Sequence, residues 1–153
     1  MIERAMARSR ELFESGWFCA ESVLMAVSEH HAIDSQLIPK LATGFCSGLS
    51  RSGGLCGALS GAVLSIGLIL GRDDANQSVD PCYNAVCATA DGFVSRFGAD
   101  TCQALTGCHL GTDEGQVRFR RGNLHERCLE FVSEATRLAL MSIANPMEPP
   151  SDP

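Results

Sequence analysis

No two of the eight cysteines in this 153-residue chain are separated by just two residues. Without a C-x-x-C pair there is no thioredoxin-type dithiol, and without C-x-x-C-H there is no covalently attached c-type haem. The ferredoxin spacings are absent as well. Other signatures are also missing. Hydrophobic alternation of the strand type is not found, which argues against a sheet. The opening Met1-Ile2-Glu3-Arg4-Ala5-Met6-Ala7-Arg8 is charged and amphipathic. It lacks the apolar stretch and small-residue cleavage site of a secretory signal, so the expected location is cytoplasmic. No Ser-His-Asp arrangement or paired-carboxylate motif stands out, and no internal repeat or interdomain linker is present.

Charge excludes another class. The net charge is −6, and of the twelve basic residues only Arg118, Arg120 and Arg121 cluster. Nucleic acid is therefore not the expected partner, and the arginines read as a solvated surface. The uncharged stretch from Ser52 to Gly71 resembles a membrane span in length. It holds six glycines and three serines and has no companion span. A buried helix fits it better, and no membrane insertion is expected.

What remains is helical periodicity throughout. A first helix is predicted over Ile2 to Ser15, ended by Gly16, and a second from about Phe18 to His31. Asp34 or Ser35 is a candidate cap for a short third helix, with Pro39 near its start or kinking it. Gly44 to Gly54 is a glycine- and serine-rich loop. A fourth helix runs from about Leu55 to Leu70, with Gly57, Gly61 and Ser65 on one side. Its small residues admit a close neighbour, and its apolar residues elsewhere predict burial nearly all round. Asp80-Pro81 starts a fifth helix, stopped by Gly98. Asp100 or Thr101 caps a short turn of helix through Leu105. Gly107 to Gly122 reads as irregular, and Asn123 caps a last helix to about Ile143. The expectation is an all-α fold: one compact multi-helix bundle over residues 1–144 around a buried glycine-rich central helix. A loose tail with four prolines follows at 145–153.

Four cysteines lie near predicted helix starts: Cys19, Cys56, Cys102 and, one turn in, Cys128. Free N–H groups and the helix dipole favour an anion there, and the thiolate is both nucleophile and metal ligand. Cys19 leads a stripe with Val23, Ala26 and Val27. Cys56 leads Leu59, Val63 and Leu70, and Cys128 leads Phe131, Val132, Ala135 and Leu138. If these stripes face one core, the thiols meet at one end of the bundle. Cys56, following Gly53-Gly54, is expected to be acidic and reactive, with burial pushing the other way.

The segments around these cysteines resemble a known family. Gly16-Trp17-Phe18-Cys19-Ala20-Glu21-Ser22-Val23-Leu24 is similar to its opening Gly-Tyr-Asn-Cys-Ala-x-x-Val-Leu. Gly44-Phe45-Cys46-Ser47-Gly48-Leu49 is similar to its glycine-rich loop, and Cys56-Gly57-Ala58-Leu59-Ser60-Gly61-Ala62 to its C-G-A-x-x-G-A motif. Cys102-Gln103-Ala104-Leu105-Thr106-Gly107 and Cys128-Leu129-Glu130-Phe131-Val132 match its two later segments. From Leu12 to Leu140 the chain thus resembles the C_GCAxxG_C_C family of redox-active proteins. The resemblance implies that Cys19, Cys56, Cys102 and Cys128 are the characteristic set. Cys46, Cys82, Cys87 and Cys108 depart from it, Cys46 standing where the family usually has glycine. Cys82 and Cys87, about 140° apart round a helix, are expected to pack.

Three functions stay open on the sequence. One is thiol–disulfide redox chemistry among those four cysteines, as a redox relay or oxidoreductase with an unidentified partner. A second is an electron-transfer or sensing module holding an iron–sulfur cluster, or zinc, at the same thiols. The third is a structural protein with inert cysteines. His125, three residues before Cys128 on one helix face, is a further candidate ligand, and His109 neighbours Cys108. The Gly48 to Gly54 loop with Arg51 invites an anion, but Gly54 is followed by Leu55-Cys56 rather than the Gly-Lys-Ser/Thr of a phosphate loop.

Overall fold

The computed structural model of the chain describes residues 1–146. Over these residues the order is α1 (Ile2–Glu14), α2 (Cys19–His30), α3 (Lys40–Thr43), α4 (Cys46–Arg51), α5 (Gly57–Leu70), α6 (Asp80–Phe97), α7 (Cys102–Thr106), α8 (Asp113–Arg121) and α9 (Leu124–Ala144). The fold is all-α, and an isolated antiparallel bridge between Leu55 and Thr101 is its only β pairing among the described residues. Of the expected tail, residues 147–153 lie outside the described residues.

Helix α5 is the centre of the bundle, packed on α2, α9, α6 and the short α3 and α4, while α1 closes over α2 and α9. Two of its glycines explain the close packing. A Cβ on Gly61 would lie 2.6 Å from the Ala20 carbonyl oxygen and 2.9 Å from Val23 Cβ, and one on Gly57 would run into Cys19 Sγ. The α2 and α5 backbones therefore approach each other where no side chain fits between them. Ser65, on the same side and fully buried, returns its hydroxyl proton to the Gly61 carbonyl at 2.7 Å. Gly57, Ala58, Leu59, Ser60, Gly61 and Ala62 are all buried. The expectation of burial all round fails in the last turns, where Gly67 is exposed and Leu68 is 41% exposed.

On the far side of α5, Phe93 and Phe97 of α6 meet Phe131 of α9, with ring centroids 4.8–6.0 Å apart. Gly92 leaves room there for the Leu138 side chain, whose Cδ2 would lie 2.9 Å from a Cβ on it. Thr89 donates to Ser142 Oγ across the helices at 3.0 Å. Burial of such large rings is the main stabilising term, about 1.5–3 kcal/mol per side chain.

Two further sequence expectations are corrected. Helix α3 begins at Lys40, after Pro39, rather than at a cap on Asp34 or Ser35; the ring of Pro39 is tolerated only ahead of the first full turn. The stretch from Gly107 to Gly122 is not irregular. It contains α8, whose N-cap Thr112 accepts from Gly115 N at 3.0 Å. Asp113 and Glu114 lie in its first turn and Arg118, Arg120 and Arg121 in its last, each charge matched to the helix dipole. The three arginines are exposed, as expected of a solvated surface. No described helix is long and apolar enough to cross a membrane.

Candidate functional site

Cys19 is the first residue of α2, Cys56 the N-cap of α5, Cys102 the first residue of α7, and Cys128 the fifth residue of α9. All four line one cavity of about 270 Å³ at one end of the bundle. Its walls are largely apolar: Phe13, Trp17, Leu105, Leu110, Phe119 and Phe131 contribute. Trp17 and Phe18, also on the wall, are 40% and 54% exposed, so the cavity opens to solvent beside Cys19.

The local backbone fixes this arrangement. The antiparallel bridge ties the start of α5 to the start of α7: Cys56 N donates to the Asp100 carbonyl at 2.7 Å, and Cys102 N to the Gly54 carbonyl at 2.8 Å. Thr101 caps α7 by accepting from Ala104 N at 3.2 Å. Ahead of the bridge, α4 is no ordinary helix. Ser47, Gly48, Leu49 and Ser50 carry φ of +55° to +67° with positive ψ, and Arg51 has φ +69°. These residues form a left-handed turn, a conformation costing roughly 1–2 kcal/mol for each residue with a side chain. Ser50 Oγ donates to the Gly44 carbonyl at 2.7 Å, Ser52 Oγ to the Gly48 carbonyl at 3.2 Å, and Gly54 N to the same carbonyl at 3.0 Å. Gly48 sits against Cys102: any Cβ there would overlap Cys102 Cβ and lie 3.2 Å from its sulfur. The cavity floor is thus a strained loop pressed onto a cysteine, a pattern found at functional sites.

Burial dominates the electrostatics. The N–H groups of Ala58 and Leu59 favour the Cys56 thiolate, as its helix-start position predicts, but loss of solvent outweighs them and pushes the thiol up to about 11. The expectation of an acidic Cys56 is therefore corrected. Cys128 is pushed up to about 12, mainly by burial, with Cys56 and Cys102 adding and Arg127 opposing. Burial also raises Cys102, Thr106 opposing and Cys108 adding. At neutral pH these three are thiols, so this end of the cavity is uncharged.

The remaining sulfurs divide. Cys46 and Cys108 are buried, 4% and 3% exposed. Cys82 packs against the core, but Cys87, expected to pack with it, is exposed because it turns to the outer face of α6. His125 lines the cavity and stacks on Phe13, centroids 4.7 Å apart. His109 instead accepts from Gly111 N through Nδ1 at 3.2 Å. Four thiols are a fitting donor set for zinc or an iron–sulfur centre. Yet among the described residues no three His, Cys, Asp or Glu side chains converge closely enough to hold a metal ion. As the side chains stand, the cavity presents neither a formed metal site nor a disulfide, all eight cysteines being free thiols.

Sequence reasoning missed the aromatic wall and the left-handed turn. Phe13, Trp17 and Phe119 come from three separate segments, and left-handed geometry at Ser47, Leu49 and Ser50 has no residue-type signal.

The family described as "Putative redox-active protein (C_GCAxxG_C_C)" matches residues 17–141. A protein of Archaeoglobus fulgidus, described as "Uncharacterized protein", is 31% identical over 150 residues, covering 92% of this chain and 94% of that one. No solved structure matches the chain.

Proposed function

This chain belongs to the C_GCAxxG_C_C family of putative redox-active proteins, and from that membership we propose reversible thiol–disulfide chemistry carried by Cys19, Cys56, Cys102 and Cys128. The observation that carries the reading is that all four thiols, from four different helices, line one cavity. Two thiols give up their protons and an electron pair to form a disulfide, while a partner disulfide takes up both and is reduced to two thiols. The protein then acts as a redox relay, or as an oxidoreductase where the partner is its substrate.

The chain's own residues set the terms of that exchange. Cys19 lies beside the open rim formed by Trp17 and Phe18, so it is the thiol a partner meets first. Cys56, Cys102 and Cys128 are held protonated by burial and therefore react slowly until a neighbouring base takes the proton and leaves the thiolate to attack. The bridge between Leu55 and Thr101 keeps Cys56 and Cys102 on adjoining backbone.

Thiol trapping after controlled oxidation tests the reading. The reduced protein is exposed to air, quenched with an alkylating agent, and mapped by peptide mass spectrometry. At least one disulfide between two of the four cysteines is expected. Metal and sulfide analysis with a visible spectrum after anaerobic reconstitution runs beside it. A coloured, sulfide-containing species that blocks trapping of all four would replace thiol exchange with the cluster reading. Four free thiols and no metal uptake would leave the cysteines inert.

A further inference from the structure

A fifth sulfur stands behind the cavity. Cys46, 4% exposed, begins the left-handed turn and lies over the first turn of α2, where Cys19 is the first residue. Both cysteines crowd the same point on α5. A Cβ on Gly57 would strike Cys19 Sγ and would lie 3.3 Å from Cys46 Cα. Cys19 also packs against the small buried cluster formed by Ala20, Leu24, Ala42 and Cys46. The missing side chain of Gly57 thus leaves room for the Cys19 sulfur next to the Cys46 backbone.

We propose that Cys46 is the resolving thiol for Cys19, and that the two close a disulfide across the first turn of α2 in exchange with a small-molecule disulfide. The inference rests on the thiol–disulfide reading of the cavity and adds to it a partner cysteine from outside the four.

The surroundings differ from those of an inert core cysteine. The Cys19 sulfur beside it, then burial, favours the protonated Cys46 thiol. Its sulfur is also 3.6 Å from the Ala42 carbonyl and faces the backbone N–H of Glu21. The Glu21 carboxylate is itself occupied, accepting from Phe18 N at 2.9 Å and Thr43 Oγ1 at 2.8 Å. These bonds brace the first turn of α2 beneath both sulfurs. Roles divide accordingly. Cys19, half-buried on the cavity wall, is reachable from the open rim. Cys46, buried and protonated, waits behind it.

The exchange balances in two steps. The Cys19 thiolate attacks one sulfur of the small disulfide, forming a mixed disulfide and expelling one thiolate, which takes up a proton. Cys46 then loses its proton and attacks the Cys19 sulfur. The mixed bond breaks and the second small thiolate leaves with that proton. Net, two protein thiols become one disulfide and the reagent becomes two small thiols. Closure requires the two Cα atoms to lie within about 7 Å.

The test uses the full chain, reduced and kept without oxygen, titrated with 2-hydroxyethyl disulfide, quenched with N-ethylmaleimide and mapped by peptide mass spectrometry. The first internal disulfide is expected to join Cys19 to Cys46, with two equivalents of small thiol released. In Cys46→Ser the reaction should stop at the mixed disulfide on Cys19, halving the release. Cys46→Ala should do the same, and circular dichroism checks that both variants are folded. Disulfides confined to Cys56, Cys102 and Cys128, with Cys46 still alkylated, would overturn the inference and leave the broader reading standing. A Cys19–Cys46 bond with the other three inert would sustain the inference and remove the broader reading. No internal disulfide at all would overturn both.

Discussion

The flank of the central helix and its start contrast sharply. Along its flank towards α6 and α9, the molecule is long regular helices joined by rings and small residues, with the positive φ values confined to the helix ends at Gly98 and Asn123. At its start, where the cysteines collect, the chain is short: a left-handed turn, a single bridge, and the five-residue α7. Stability comes from the first region and is spent, in conformational strain, in the second. Five of the eight cysteines, Cys19, Cys46, Cys56, Cys102 and Cys128, collect beside this least regular backbone.

The largest expected effect lies in the regular region. Phe93→Ala, at a fully buried ring against Phe97 and Phe131, should cost about 3–5 kcal/mol in urea denaturation. Peptide mapping of the variant below its transition should show the same thiol reactivities as the parent; altered reactivities would erase the contrast between flank and start.

Next comes alkaline pH. Cys56 has its folded value raised from 9.0 to about 11. The unfolded chain therefore ionises first, and this contribution to stability is present below pH 9 and lost as pH rises through about 11. Up to about 2–3 kcal/mol is at stake by the two-unit shift. The stability gap between the parent and Cys56→Ala, measured by denaturation across that range, should narrow as pH rises. A gap that stayed constant would show that Cys56 is not desolvated. Alkylation of Cys56 should likewise be slow at pH 8, where about 0.1% is thiolate, and accelerate towards pH 11.

A smaller change probes the strained end itself. Gly48→Ala places a methyl group on Cys102 at φ +67°, with an expected cost of about 1–3 kcal/mol. The alkylation rate of Cys102 should rise as its cover is displaced, which a matching loss of stability alone would not produce. The smallest effect is expected at Cys87→Ser, exposed on α6, which should stay within about 0.5 kcal/mol of the parent and leave every trapped disulfide in place.

Much of the regular region is legible in sequence because its signals are local. Asp80-Pro81 and Gly98 bracket α6 as observed, Gly98 taking the left-handed φ of +83° that ends a helix. The stripes behind Cys19, Cys56 and Cys128 lead into one core, which is why the helix starts carrying them converge. Helix α8 was hidden by composition: Gly107, Gly111, Gly115 and Gly122 mask a Thr112 cap and a charge gradient that together specify a helix. Cys46 lies beyond pattern reasoning for another reason. Its nearness to Cys19 is created by the left-handed turn and by the missing side chain of Gly57, a fact of three-dimensional space rather than of spacing. The acidity expected of Cys56 failed because position along a helix is visible in sequence and loss of solvent is not.

The lone bridge at Leu55 and Thr101 works as a mechanical coupling. The amide of Cys56 is held by the residue before Thr101, and the amide of Cys102 by the residue before Leu55. Neither cysteine can shift along its own chain without dragging the other, because both main chains are pinned at the same rung. A displacement imposed at Cys102, by a new covalent bond for instance, is therefore delivered to the head of the central helix rather than absorbed in the loop. Amide hydrogen exchange would register this as a single event, the two cysteine amides opening at one common rate.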